Sequence, residues 1–256
     1  MNTSNIKQAN NDSSDLQKQL EQKNAELSAT QKALESISFT ISHDLRAPLR
    51  TIDSFSQALA EDFTGELPEE ATQHINRIRK ATKNMRGMID ELLELGRVGR
   101  RKMEFQEFSL TKLAKEIIEE IQQQSPDRQV EFIIEDDLEV FGDKSLLKTA
   151  LQQLIGNAWK FTLHQEQPRI ELIQTTRDGK TIFLIKDNGV GFDMNYYEQL
   201  FDPFKRLHND KDFDGLGVGL SKVHQIIERH NGKIWAESEP NQGASFYFTL
   251  GVESQN

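Results

Sequence analysis

Leucine and isoleucine recur at alternating steps of four and three through Leu16, Leu20, Lys23, Leu27, Thr30, Leu34, Ile37 and Ile41, a series that only Lys23 and Thr30 interrupt. This is the seam of a coiled coil, and it commits the start of the chain to helix that must find a partner. Helical patterning runs from about Ser14 to about Asp62. Phe63-Thr64-Gly65-Glu66-Leu67-Pro68 then reads as a turn. Pro68 suits the first position of a new helix, and Glu69 and Glu70 favour its first turn. That second helix reaches about Leu95, with Ile75, Ile78, Met85, Ile89 and Leu92 again stepping by three and four and Thr82 filling the gap. Two amphipathic helices joined by a short turn make an antiparallel hairpin. One hairpin cannot bury both stripes; two make a four-helix bundle, so a homodimer is expected.

The pattern changes after the basic, glycine-punctuated run Gly96-Arg97-Val98-Gly99-Arg100-Arg101-Lys102. Strands are predicted over Glu104–Ser109, Gln129–Ile134, Arg169–Thr175, Thr181–Asp187, Gly232–Ser238 and Ala244–Leu250, and helices over Leu110–Gln123, Lys144–Phe161 and Val218–Asn231. Asp143 is a good N-cap for the middle helix. Strands and helices without strict alternation suggest an α+β sandwich, one mixed sheet with helices on one face. The expected divisions are a disordered, Asn/Ser/Gln-rich start at 1–13, a coiled coil and hairpin at 14–97, a linker at 98–103 and a mixed domain at 104–252.

The formal net charge of −10 argues against nucleic acid as a partner, since phosphate recognition needs clustered Lys and Arg. With no cysteine, disulfides, thiolate zinc sites and cysteine nucleophiles are excluded. No apolar run is long enough to span a membrane, and the polar N-terminus lacks the apolar region of a signal peptide. A cytoplasmic location without membrane insertion is expected.

Several short patterns carry chemistry. In Ser42-His43-Asp44-Leu45-Arg46-Ala47-Pro48-Leu49, taking Ile41 as an a position puts His43 at c, facing solvent beside a carboxylate, with Pro48 set to kink the helix. Alone, such a residue is an ordinary surface histidine. Asn157 and Lys160 lie three apart on one face near the end of a predicted helix. An amide oxygen suits Mg²⁺ and a lysine suits phosphate, although a solvated pair at a fraying helix end reads equally well. Asp187-Asn188-Gly189-Val190-Gly191 follows an apolar strand and reads either as a turn or as a carboxylate and glycines around a base. Gly215-Leu216-Gly217-Val218-Gly219-Leu220 opens a helix whose N–H groups favour an anion. It is not a Walker A loop or a dinucleotide fingerprint.

Taken in order, these motifs resemble those of the sensor histidine kinases of two-component systems, from about Leu16 to about Leu250. The resemblance implies a dimerisation and phosphoacceptor bundle followed by a GHKL (Bergerat) ATP-binding sandwich. His43 becomes the phosphoacceptor; Asp44 either orients its ring and takes its proton or forms a surface salt bridge with an arginine. ATP would be bound by Asn157, Lys160, Phe161, Asp187, Gly189, Gly191, Gly215, Gly217, Val218, Gly219 and Leu220, with Asn157 also holding Mg²⁺. The stretch between the glycine motifs resembles the ATP lid. Its Phe201-Asp202-Pro203-Phe204-Lys205-Arg206 box implies that Phe201 and Phe204 anchor it; Arg206 with Lys205 either reaches the terminal phosphate or forms a solvated basic pair. The ATP domain would swing onto His43 through the linker.

Three departures and ambiguities matter. Gln153 stands where hydrolysing GHKL members hold a water-activating glutamate, which suits transfer to histidine rather than to water. Ala47 stands where phosphatase-competent kinases often hold Thr or Asn, so weak phosphatase activity is expected. Arg46 and Arg50 either position phosphate or stabilise the bundle, the second being favoured. The phosphoryl group would pass to an aspartate of a response-regulator receiver domain on another chain, and an upstream sensor domain is expected in the full-length protein. A nucleotide-switched dimeric scaffold without kinase activity, and a GHKL ATPase acting as a chaperone or DNA-topology motor, are the competing readings.

Overall fold

The computed structural model describes residues 40–207, 213 and 215–251, together with 18, 19, 22, 23, 26 and 30. Most of the Leu16–Ile37 seam and the whole 1–13 segment lie outside the described residues. The chain divides into two compact units, Met1–Leu93 and Glu94–Asn256.

In the first unit, α1 is helical over 40–62 and α2 spans Glu69–Val98, continuing into the second unit. Between them Gly65, at φ 83°, lets the chain turn. The residues buried within one hairpin fall at seven-residue steps: Ser42, Leu49 and Ser56 on α1, and Ile75, Thr82 and Ile89 on α2. Thr82 is tolerated there because its hydroxyl donates to Ile78 O at 2.8 Å. Charges brace the flanks. Arg46 Nη2 reaches Asp90 Oδ1 at 2.6 Å, and Asp53 pairs with Arg86 at 3.2 Å and with Arg79 at 3.8 Å. A second apolar series, including Ile41, Leu45, Ile52, Phe55 and Leu59 on α1 and Ile78, Met85 and Leu92 on α2, is left exposed.

The helix expected to stop near Leu95 runs on through Gly96 to Val98, whose side chain joins the core of the second unit. Beyond it come β1 (Phe105–Ser109), α3 (Leu110–Gln124), β2 (Glu131–Ile134), β3 (Glu139–Asp143), α4 (Lys144–Phe161), β4 (Arg169–Arg177) and β5 (Lys180–Asp187). A short 3-10 helix at Met194–Gln199, α5 (Gly219–Arg229), β6 (Ile234–Glu239) and β7 (Gly243–Phe248) complete it. Five strands form one mixed sheet in the order β2-β4-β5-β7-β6, in which only β2 and β4 are parallel. The expected single sheet needs correction: β1 pairs with β3 in a separate antiparallel ribbon. Asp178 and Gly179, both at positive φ, make the two-residue turn between β4 and β5.

Residues of one pleat face, Ile170, Leu172, Phe183, Ile185, Phe246 and Phe248, form a common core with Leu113 and Ile117 of α3, Leu147, Leu151 and Leu154 of α4, and Val223 and Ile226 of α5. The helices thus cover one face of the sheet, with α4 between α3 and α5. Asp143 starts α4 by accepting the N–H groups of Ser145 and Leu146, each at 3.0 Å, and also accepts that of Glu104 at 3.0 Å. At the other end of α5, Arg229 donates to the carbonyls of Val98 and Arg101, fixing the start of the expected 98–103 linker. The neighbouring His230 is 1% exposed; its Nε2 accepts the Asp143 N–H at 3.0 Å while Nδ1 donates to Ile226 O at 2.7 Å.

Candidate active site

His43 lies on α1 with its side chain 74% exposed, as the c position requires. Its Nδ1 is 3.2 Å from Asp44 Oδ1. A carboxylate only accepts, so the proton belongs on Nδ1 and the Nε2 lone pair is left free. Arg46 is engaged by Asp90, the bundle-stabilising role favoured for it. Ala47 is exposed one helical turn beyond His43.

The second site forms where the end of α4 meets the start of α5. Leu147, Leu151, Leu154 and Ala158 face the core. Gln153, Asn157 and Lys160 form a different stripe at steps of four and three. Both ends of that stripe touch the second glycine motif. A Cβ on Gly219 would collide with Gln153 Oε1, and a Cβ on Gly215 would lie 3.5 Å from Lys160 Nζ. Asn157, half-buried between them, therefore faces the Gly215–Gly219 loop. Gly217 lies so close to the lid that its Cβ would stand 2.5 Å from Lys205 O and 3.1 Å from Arg206 Cγ. The Phe204 N–H donates to Gly217 O at 2.8 Å. The N-cap residue Val218 makes no side-chain cap to α5, and among the described residues the first N–H groups of the helix suit an anion.

The first glycine motif adjoins the same helix end. Val190 N–H donates to Phe161 O at 3.2 Å, and a Cβ on Gly189 would lie 2.5 Å from that oxygen. Gly191, at φ 59°, passes against the Glu239 carbonyl, where no side chain fits. Asp187 closes β5 at 4% exposure, accepting the Gly189 N–H at 2.8 Å. Burial pushes its carboxyl from the ordinary 3.8 up to about 6, against the opposing pull of the Gly189 and Ala244 N–H groups. The predicted residues of helix, both glycine loops and lid box are therefore gathered into one site.

Four details differ from expectation. Val218 is 2% exposed, so it could serve a nucleotide only through its backbone, while Leu220 is half-buried against the core. Of the two lid phenylalanines, Phe201 packs on the core beside Tyr197 and His224, but Phe204 is exposed, at φ 64°. Phe213 takes the buried place instead, edge-on to Phe161 at 5.0 Å, with its carbonyl accepting from Arg206. Arg128, unmarked in the sequence, grips the end of α4 through Trp159 O and Thr162 Oγ1.

The site fits Mg²⁺-ATP. Glycines at 217 and 219 let the loop lie directly against the lid and Gln153, where a Cβ would collide, and a single amide oxygen from Asn157 suits a cation bound mainly by phosphate. Among the described residues no helix is long and apolar enough to cross a membrane.

Comparison with known proteins agrees with this geometry. Residues 34–101 match the His Kinase A (phospho-acceptor) domain, and residues 142–254 match the histidine kinase-, DNA gyrase B- and HSP90-like ATPase family. The chain is 32% identical over 235 residues to cyanobacterial phytochrome B of Nostoc sp., covering 91% of this chain and 31% of that protein. It is 28% identical over 237 residues to the phytochrome-like protein Cph1 of Synechocystis sp., covering 93% of this chain and again 31% of the relative. It thus spans about a third of the length of these curated relatives. The crystal structure of the histidine kinase ThkA in complex with the response regulator TrrA shares the fold, with a TM-score of 0.60 at 23% identity, covering 88% of this chain and 65% of that one. With a phospho-acceptor domain carrying His43 ahead of an ATPase-type domain carrying the gathered site, the chain belongs to the sensor histidine kinases of two-component systems.

Proposed function

We propose that this chain phosphorylates itself on His43 from Mg²⁺-ATP and passes the phosphoryl group to an aspartate on a response-regulator receiver domain. The observation that carries this reading is the convergence of Gln153 on Gly219, Lys160 on Gly215 and Phe161 on Gly189, in a chain that also presents an exposed His43. In the proposed step the Nε2 lone pair of His43 attacks the γ-phosphorus. An N–P bond forms as the bond to the β,γ-bridging oxygen breaks, and ADP leaves with that electron pair. The Nδ1 proton moves to Asp44, which leaves a neutral phosphorylated ring. Lys160 and the α5 N–H groups hold the phosphates, Asp187 accepts from the adenine amino group, and Lys205 and Arg206 of the lid meet the terminal phosphate. Asn157 would hold Mg²⁺, whose contribution when bound is to neutralise charge on the phosphates.

Gln153 has no carboxylate to activate water, so ATP should persist in the site until histidine takes the phosphoryl group. The ATP domain would swing onto His43 through the linker. Bending at 98–103 itself would release the Arg229 bonds to Val98 and Arg101. The exposed apolar series on α1 and α2 supports a homodimeric four-helix bundle. A cytoplasmic setting, with an upstream sensor in a longer protein, is the corresponding context.

Incubation with ATP labelled on the γ-phosphate tests this directly. The label should be acid-labile and base-stable, and a cognate receiver domain should take it up. Acid-stable label would indicate a hydroxyl acceptor and overturn the reading. Because Ala47 carries no hydroxyl or amide, the chain should not hasten loss of label from the receiver.

A further inference from the structure

We propose that Arg128 is a positioning residue for the nucleotide and Mg²⁺ site, holding the last turn of α4, and with it Asn157 and Lys160, in register with both glycine loops. This rests on the reading of that site as an Mg²⁺-ATP site.

The end of any helix leaves four carbonyls without an intrahelical partner. Here no left-handed glycine closes the helix; the C-cap is Thr162, at φ −92°. The Ala158 carbonyl accepts the Thr162 N–H at 3.2 Å and its hydroxyl at 2.7 Å. The Lys160 carbonyl accepts the Leu163 N–H at 3.2 Å. The other two caps come from distant parts of the chain. Phe161 O takes the Val190 N–H of the first glycine loop, and Trp159 O takes Arg128 Nη1 at 2.6 Å in addition to the local Thr162 hydroxyl at 3.1 Å.

Arg128, in the segment between α3 and β2, is bound on three sides. Its Nη2 donates to Thr162 Oγ1 at 2.9 Å, and Thr162 is fully buried. Its guanidinium carbon lies 4.2 Å from the Trp159 ring centroid, and Trp159 stacks on Phe132 of β2, with centroids 6.1 Å apart and planes 8° apart. One planar cation thus caps a carbonyl, fixes the capping hydroxyl and clamps the intervening side chain to the sheet, with its charge at the negative end of the helix. Asn157 lies two residues before Trp159 and Lys160 one after it. Rotation of this turn would carry the amide and the ammonium away from the Gly215–Gly219 loop and pull Phe161 O from Val190 together. The phosphate end and the base end of the site depend on the same cap. Lysine could reach one oxygen but could not fork to two while stacking.

The test uses the full chain with Arg128→Met, Arg128→Lys and a control, Lys115→Met, which removes the surface pair of Lys115 with Asp136. Three readouts are compared well below the melting temperature: affinity for the Mg²⁺ complex of a non-hydrolysable ATP analogue, the Mg²⁺ concentration giving half-saturation, and amide exchange of Leu163 and Val190 without nucleotide. Arg128→Met should weaken analogue binding about tenfold or more and raise the Mg²⁺ requirement, as loss of a group supporting a metal ligand does. Exchange at both amides should quicken. Arg128→Lys should fall between, and the control should match wild type. If Arg128→Met folds and keeps wild-type affinity, Mg²⁺ requirement and exchange, Arg128 is a structural cap only, even if stability drops. If it does not fold, wild-type values in Arg128→Lys overturn the proposal. Failure of the wild type to bind the analogue would refute the site reading, while the exchange comparison would still judge the clamp.

Discussion

Asp187 closes β5 with its carboxyl almost wholly buried and its affinity for a proton raised to about pH 6. A group whose pKa rises on folding stabilises the fold below its unfolded value and loses that contribution as pH climbs through the folded value. Nucleotide-free protein should therefore bear a cost above pH 6 of about 3 kcal/mol, by the free-energy equivalent of a pKa shift. Asp187→Asn should raise the apo melting temperature at pH 7.5, with the gain fading toward pH 4. The same change should weaken ATP binding by roughly tenfold or more, since a charged acceptor is lost. Wild-type affinity should fall as pH drops from 7 to 5, and that of the variant should not. Calorimetry across this range reads both effects. The candidate residues were legible in the sequence because each box keeps a short, fixed spacing. Arg128 was not, because nothing near Asp127 or Gln129 announces a partner on another helix. Phe213 had only the faint signal of a lone aromatic in a polar stretch.

At the scale of elements, α4 depends on its first residues as much as on its last. The Asp143 carboxylate satisfies three backbone N–H groups in a buried position. Burial alone would raise its pKa, but those N–H groups, with Arg101, hold it below the ordinary carboxylate range. Asp143→Ala should cost at least about 3 kcal/mol in urea unfolding, since several buried donors lose their acceptor at once. His230, kept neutral by burial, contributes stability above its unfolded pKa that is lost as pH falls through its lowered folded value. In the hairpin, Arg46 pairs with Asp90 in a partly exposed setting. Arg46→Met should cost less than about 1 kcal/mol, typical of such pairs, and should leave His43 labelling intact. Loss of labelling without unfolding would mean that Arg46 meets phosphate. Long amphipathic helices declared themselves through periodicity, and α4 through its Asp143 cap. The strand Glu139–Asp143 did not, because a five-residue stretch containing Gly142 has too few side chains to show alternation. The separate β1–β3 ribbon was hidden with it.

Each hairpin has a buried seam of mixed small polar and apolar residues, which one chain satisfies, and a second, apolar seam, which it leaves exposed. Ser42, Leu49 and Ser56 on α1 and Ile75, Thr82 and Ile89 on α2 are buried within the chain, whereas Phe55 is left 70% exposed and Ile41 52%. The heptad pattern revealed apolar stripes but could not assign each stripe to its own chain or to a partner, because both uses share one period. Phe55→Asp should shift the protein from dimer to monomer by light scattering, leaving nucleotide affinity unchanged. Phosphorylation of His43 is tested by site-resolved mass spectrometry after incubation with Mg²⁺-ATP and an alkaline quench, comparing wild type, His43→Gln and Asn157→Ala. Wild type should carry a phosphoryl group on His43, and neither variant should carry one. Phosphate retained in His43→Gln, or placed on another residue in wild type, would contradict this assignment.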